Sequence, residues 1–206
     1  MAPLDELVHI DSFAEGLSRR VNVVGISGSG KTRFAQALAC RLGVPHIELD
    51  ALHHGPNWAE ASAAELRERV EAAMAAATDG SVIDGHYGRK LGDLVVGQAD
   101  TLVWLDFPLH LVLPRLWRRT WGRILRREEL WNGNRESIRT AFLIKDSLFA
   151  WTIKRYPQVR IEIPQILARH PHLRAVRLRT PREVERFLAE VRKWAGKPIP
   201  LLPAWV

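Results

Sequence analysis

Gly25, Gly28, Gly30, Lys31 and Thr32 are the residues of this chain best suited to chemistry, and their spacing says which chemistry. The run Gly25-Ile26-Ser27-Gly28-Ser29-Gly30-Lys31-Thr32 fits the phosphate-binding pattern G-x-x-x-x-G-K-[ST]. Glycines let backbone N–H groups turn inward and approach phosphate oxygens closely. A helix that starts at the loop aims its positive dipole end at the anion. In such a loop the lysine reaches the β- and γ-phosphates, and the threonine hydroxyl ligates Mg²⁺. Ser27, Ser29 and Arg33 complete the expected set of nucleotide-contacting residues.

The flanks suit the motif. Val21-Asn22-Val23-Val24 reads as a short buried strand before the loop. Lys31 to Leu42 reads as a helix after it, with Phe34, Leu38 and Leu42 on one face. Gly43 and Pro45 end that helix. Further carboxylates then recur at the carboxyl ends of predicted strands, where open parallel sheets bind ligands. His46 to Asp50 reads as the second strand, with Asp50 at its tip. Asp50 can orient an acceptor hydroxyl or take its proton; it also suits a helix cap. His53 and His54 suit a loop or acceptor pocket better than a metal site, because no third ligand stands at ligand spacing. Trp58, in the turn Gly55-Pro56-Asn57-Trp58, either lines that pocket or packs beneath the loop. Ser62 and Glu65 form a capping box for a helix running to about Thr78. Ser81 to Asp84 is the third strand, and Asp84 at its tip is placed to hold Mg²⁺ directly or through water. Gly85, Tyr87 and Arg89 follow on the acceptor side, although Arg89 also reads as an ordinary surface arginine. A short helix is expected over Asp93 to Ala99, and a fourth strand over Thr101 to Asp106, with Asp106 capping the next helix.

Charge concentrates in one segment. Between Arg115 and Arg139 stand eight arginines against three glutamates, which is most of the chain's net charge of +7. Trp117, Trp121 and Trp131 are interleaved with them. Arginine favours planar, bidentate phosphate recognition. Two helices joined at Asn132–Asn134 would make a lid that closes over a triphosphate and excludes water. The same composition also suits a solvated basic helix pair, or a nucleic-acid surface of arginine mixed with aromatics. Beyond the lid, Pro157 is expected to break the helix and Pro164 to kink a short following one. A fifth strand is expected over Leu173 to Leu178, and a last helix from Pro181, capped by Thr180.

The 206 residues are enough for one α/β domain with an insert. The predicted organisation is an N-terminal extension (1–20), a core (21–113 and 158–195), a helical lid (114–157) and a tail (196–206). The single cysteine, Cys40, excludes an internal disulfide and reads as a small core residue. It fits a reducing, cytoplasmic setting. No apolar run is long enough to span a membrane, and the N-terminus shows no signal pattern. Either a monomer or a homodimer is compatible with the sequence.

Gly25–Thr32, Asp50 with His53, Asp84-Gly85-His86-Tyr87, Leu105-Asp106-Phe107-Pro108, the arginine-rich lid and Thr180-Pro181-Arg182-Glu183-Val184 together resemble adenylate-kinase-like P-loop proteins. The branch often labelled DNA topology modulation proteins is the most similar, over about residues 21–195. The resemblance implies a three-layer α/β fold, with a five-stranded parallel sheet, helices on both faces and a helical lid. It also implies ATP with Mg²⁺ as phosphoryl donor and a small-molecule or nucleotide acceptor. By position, Arg115 corresponds to the arginine that stacks on the donor base, and Arg119 or Arg123 to those that clamp phosphates. The loop at Thr180–Arg182 would hold the adenine edge. Adenylate kinases follow the strand-tip Asp-Gly with Phe-Pro-Arg, where this chain has His86-Tyr87, so AMP is not implied as the acceptor. The expected chemistry is phosphoryl transfer by Lys31, Asp50, Arg119 and Arg123, with Thr32 and Asp84 on the metal. The alternative is an ATP-binding protein without turnover that contacts nucleic acid through its lid.

Overall fold

The computed structural model describes residues 18–138 and 147–195. Five short apolar runs form the strands β1 (Arg20–Gly25), β2 (His46–Glu48), β3 (Ser81–Asp84), β4 (Thr101–Leu105) and β5 (Arg174–Leu178). They pair in the order β2-β3-β1-β4-β5, and every pairing is parallel. β3 and β4 are buried at every residue, as strands covered on both faces must be. The helices are α1 (Lys31–Leu42), α2 (Leu49–His53), α3 (Ala63–Ala76), α4 (Gly88–Leu91), α5 (Leu109–Arg126), α6 (Leu148–Arg169) and α7 (Pro181–Ala195).

The strand order fixes where the helices go. The chain steps one way from β1 to β2 and the other way from β2 to β3, β3 to β4 and β4 to β5. Right-handed crossovers in opposite directions lie on opposite faces. α1 therefore covers one face and α3 the other; α7 returns to pack beside α1. One apolar core joins β1, β4 and β5 to α1, α6 and α7. A smaller one lies between the β2–β3 edge and α3. The reversal at β1 opens a crevice at the carboxyl ends of β1 and β3, the position where such sheets bind ligands.

Two polar groups inside this framework set its geometry. Asn22, buried in mid-strand, donates to the carbonyls of Ile83 (3.1 Å) and Gly85 (3.3 Å), tying the tip of β3 to β1. Asp106 accepts from Arg160 Nε (2.9 Å) and Arg177 Nε (2.9 Å), tying the end of β4 to α6 and β5. It does not cap α5; the cap position is Pro108, which has no side-chain bond to offer.

Several local expectations are revised. Cys40 is exposed, because it lies about 200° around α1 from Leu38 and so faces away from the core. The helix expected at Asp93–Ala99 is instead a run of turns after the single turn of α4. α6 runs unbroken through Pro157 and Pro164. Each proline removes one helix bond, and burial of Val159, Ile163 and Ile166 on one face offsets that loss. α5 likewise passes through Pro114, so the expected lid boundaries at 114 and 157 fall inside continuous helices. The helix expected over 11–20 lies mostly outside the described residues, and Arg20 opens β1. Residues 139–146 of the second lid helix and the tail from 196 also lie outside them.

Asp106 is almost fully buried, and so is the Arg177 side chain that it neutralises. Asp106→Ala leaves that guanidinium without its carboxylate and should lower the unfolding free energy by about 3 kcal/mol, measured by urea titration. A loss below about 1 kcal/mol would show that the pair does not brace the sheet.

Candidate functional site

The loop between β1 and α1 closes tightly on its surroundings. Gly28 has φ +84°, and a Cβ there would lie 3.0 Å from both Leu116 Cβ and the Val112 carbonyl of α5. The positive φ and these close approaches favour glycine between the loop and α5. Gly30 adopts the left-handed conformation at the start of α1. Gly25, Ser27, Gly28, Gly30, Lys31, Thr32 and Arg33 all line one cleft of about 1880 Å³. Ser29 is buried, and its hydroxyl has no hydrogen-bond partner among the described residues. Lys31 lies across its own loop and donates to the Ile26 carbonyl at 3.3 Å.

Two carboxylates stand at neighbouring strand ends, one of them bonded to Thr32. In the parallel register Glu48 of β2 stands opposite Asp84 of β3, and Asp84 opposite Val23 of β1. In-register neighbours in a sheet sit roughly 4.8 Å apart, so the two carboxylates lie on one side of the sheet; Glu48 lines the cleft, and Asp84 is fully buried and does not. The Thr32 hydroxyl donates to Glu48 Oε1 at 3.2 Å. Burial, and then the charge of Asp84, push the Glu48 carboxyl above its ordinary pKa, against the hydrogen bond from Trp131. Asp84 is fully buried; Oδ2 faces His46 Nε2 at 3.4 Å, while Oδ1 has no hydrogen-bond partner among the described residues. A divalent cation fits these observations. Mg²⁺ is commonly held by one or two carboxylates and substrate phosphates. Among the described residues, no group of three His, Cys, Asp or Glu side chains is arranged to hold a metal.

Sequence reasoning missed Glu48. β2 ends two residues before the expected strand tip, because Leu49 starts α2. Asp50 therefore sits in the first turn of a short helix rather than at the end of a strand. A usable signal was present: Glu48 and Asp50 share a parity, and either could occupy the tip. Asp50 still lines the cleft, where it accepts a 2.6 Å bond from the Tyr87 hydroxyl. Burial and the Asp50 charge raise the Tyr87 phenol far above its ordinary pKa, so it serves as a fixed donor. Gly85 lets β3's exit pack against α2; its φ is +122°, and a Cβ would lie 3.0 Å from Leu49 Cβ.

The acceptor side is aromatic and ionic. His53 is buried, with Nε2 3.4 Å from Glu60 Oε2 and its ring 4.7 Å from those of His54 and Tyr87. Lys90 bonds Glu60 at 3.0 Å. Arg89, in α4, lines the cleft and is exposed. His86 faces Glu162 at 3.6 Å, and Glu162 in turn receives two 2.5 Å bonds from Arg155. Arg155 is thus committed to α6 rather than free for phosphates.

Arginines roof the cleft. Arg115, Arg118, Arg119, Arg123 and Arg126 of α5 all line it. Arg115 lies over the Phe107 ring at 5.2 Å. Burial and nearby Arg33 press its pKa below the ordinary arginine value; burial and Arg123 do the same to Arg119. Like charges gathered around a cleft are relieved by an anion placed between them. Glu136 holds Arg123 (2.9 Å) and approaches Arg119 (3.9 Å). The tip of this segment, a turn at Trp131–Gly133, docks on the turn at Pro56–Trp58. The Trp58 N–H donates to Asn134 Oδ1 (2.7 Å), and Trp58 Nε1 to the Arg135 carbonyl (3.3 Å). Trp58 therefore both lines the cleft and anchors the tip. Arg182, in the first turn of α7, is exposed and does not line the cleft.

The profile of the ATPase family associated with various cellular activities (AAA) matches residues 21–84, from β1 through β3. A Lon protease homologue of Thermoplasma volcanium is 34% identical over 84 residues, which is 39% of this chain and 17% of that protein. A shikimate kinase of Ruegeria pomeroyi is 50% identical over 42 residues, 20% of this chain and 22% of that one. The matched stretches thus span about a fifth of those relatives' own lengths. Among solved structures, a shikimate kinase from Acinetobacter baumannii in complex with shikimate aligns over 92% of this chain and 100% of that one, at 14% identity and a TM-score of 0.49. The strand order and the loop at its centre identify a parallel α/β sheet of P-loop type.

Burial is the main cause of lowered pKa values at both His53 and His86. A depressed histidine supplies stability above its ordinary pKa of about 6.5, and that stability is lost as pH falls through the depressed value. Urea unfolding should therefore show lower stability at about pH 6 than at about pH 7.5. The double variant His53→Gln/His86→Gln should flatten that slope; an unchanged slope would assign it to other groups.

Proposed function

We propose that the protein is an ATP- and Mg²⁺-dependent phosphotransferase acting on a small-molecule or nucleotide acceptor. One observation carries the reading: the phosphate loop, Asp50 and the lid arginines face a single cleft. The resemblance to adenylate-kinase-like proteins, and to the branch labelled DNA topology modulation proteins, supports it. So do the short stretch shared with a shikimate kinase and the AAA match. A cytoplasmic setting belongs to the same proposal; among the described residues, no helix is long and apolar enough to cross a membrane.

The roles follow from placement. Gly25 to Thr32 cradle the phosphates, with Lys31 on the β- and γ-groups. Thr32, Asp84 and Glu48 would hold Mg²⁺, which neutralises phosphate charge. Asp50, oriented by Tyr87, receives the proton of an acceptor hydroxyl. The acceptor oxygen bonds to the γ-phosphorus as the bond to the β-phosphate oxygen breaks, and ADP leaves. Arg119 and Arg123 stabilise the charge in transit. Arg115 and Arg33 bear on the donor nucleotide, whereas Arg182 and the Thr180 loop lie outside the cleft lining and take no part in the proposed reaction. His53, Trp58, Gly85, Tyr87 and Arg89 shape the acceptor side. Because the lid arginines line the cleft, a clamp on the transferring group suits them better than an outward nucleic-acid surface.

The test is ADP release with Mg·ATP across nucleoside monophosphates, nucleosides and small hydroxylated metabolites. At least one acceptor should stimulate release above the hydrolysis seen with water. Lys31→Ala should abolish turnover with an unchanged circular dichroism spectrum. Asp50→Asn, which still accepts from Tyr87, should lower kcat by about 10²–10⁴. Wild-type turnover in either variant would remove that residue from the mechanism.

A further inference from the structure

The tip of the arginine-rich segment reaches Glu48 directly. Trp131 Nε1 donates to Glu48 Oε2 at 3.0 Å, and Thr32 donates to the other oxygen of the same carboxylate at 3.2 Å. Glu48 thus joins the first turn of α1 to a residue 83 positions further along the chain. The indole is held from several sides. Its ring stacks on His54 at 5.8 Å and meets Trp58 edge-on at 6.4 Å. Asn132 Nδ2 donates to the His54 carbonyl at 2.5 Å, and Asn134 Nδ2 to the Gly55 carbonyl at 2.8 Å. The two docked turns share one backbone device: Asn57 and Asn132 both adopt the left-handed conformation, at φ 57° and 56°. Asparagine tolerates that conformation better than most residues.

We propose that Trp131 is a positioning residue that makes lid docking and Mg²⁺ binding one event. This rests on the metal assignment made above. An indole N–H can only donate, so it fixes Glu48 as an acceptor and selects the rotamer that faces Thr32. With Thr32 donating its proton to Glu48, the hydroxyl lone pairs are left for a cation. When the tip undocks, Glu48 loses that constraint and the cation loses an oriented ligand set. By linkage, a cation that favours the docked tip must be favoured by it to the same degree. The same tip segment carries Glu136, which holds Arg123 and approaches Arg119. Metal binding would therefore also set those arginines over the phosphates.

The test uses the full chain saturated with ADP, titrated with Mg²⁺ by calorimetry, alongside ADP affinity in EDTA. Trp131→Phe keeps the ring and loses the N–H. It should weaken Mg²⁺ binding about tenfold, as expected for a lost hydrogen bond to a charged group, while ADP affinity in EDTA stays within about twofold. Asn134→Ala keeps the indole but loosens the tip, and should act in the same direction; it carries the test if Trp131→Phe fails to fold. Trypsin supplies a second readout: Mg²⁺ should slow cleavage at Arg127 and Arg135 in wild type and not in Trp131→Phe. Equal Mg²⁺ affinity in wild type and variant overturns the proposal. So does an equal loss of ADP affinity with and without Mg²⁺, which would mark a merely structural role. If wild type binds no ADP, the phosphotransferase reading itself fails and takes this inference with it. If it binds ADP with no gain from Mg²⁺, the metal coupling alone fails.

Discussion

Two carboxylates side by side at strand ends, one fully buried and the other partly so, cost free energy that something nearby must offset. Parallel register imposes that arrangement on Glu48 and Asp84, because β2 and β3 end in one row, opposite Val23 of β1. The surroundings supply partial compensation: a hydroxyl from Thr32, an indole N–H from Trp131 and an imidazole from His46. None of them carries a fixed positive charge. In the proposed reading a cation would complete the balance, and the neighbouring loop explains why phosphates would arrive with it. In the proposed reading the site is built around this deficit.

The rest of the cleft distributes charge with the same logic. Where a cation and a carboxylate are needed only for structure, they are paired, as Arg177 with Asp106 and Arg155 with Glu162. On the cleft roof, arginines also gather near one another, Arg119 beside Arg123 and Arg115 beside Arg33, with Glu136 holding Arg123 and approaching Arg119. Proximity of like charges is unfavourable for the empty protein and favourable once a polyanion enters. The acceptor side has a different character. Tyr87, His53, His54, Trp58 and Trp131 give it aromatic walls, with Asp50 held by a phenol that stays protonated.

Most of the sheet was legible because its strands are short apolar runs bounded by glycine, proline or aspartate. The loop was legible because its glycines answer a backbone requirement that few other residues meet. What the sequence hid depended on distance along the chain. Glu48 and Trp131 lie 83 residues apart, and no periodicity connects them. The early end of β2 turned on a single residue, Leu49, starting a helix. Asp106 looked like a cap because Pro108 follows it; its partners Arg160 and Arg177 are 54 and 71 positions away. The prolines of α6 read locally as breaks, and tertiary burial of one helix face overrode them. Cys40 was misplaced for a simpler reason, since its angle around α1 was available from the 3.6-residue period.

The most direct measurement is calorimetric titration of the full chain with ATP and with ADP in the presence of Mg²⁺. One nucleotide should bind per chain, with affinity that falls when Mg²⁺ is removed and that depends on the polyphosphate more than on the base. Absence of binding by ATP, ADP and GTP alike would contradict the account at its root.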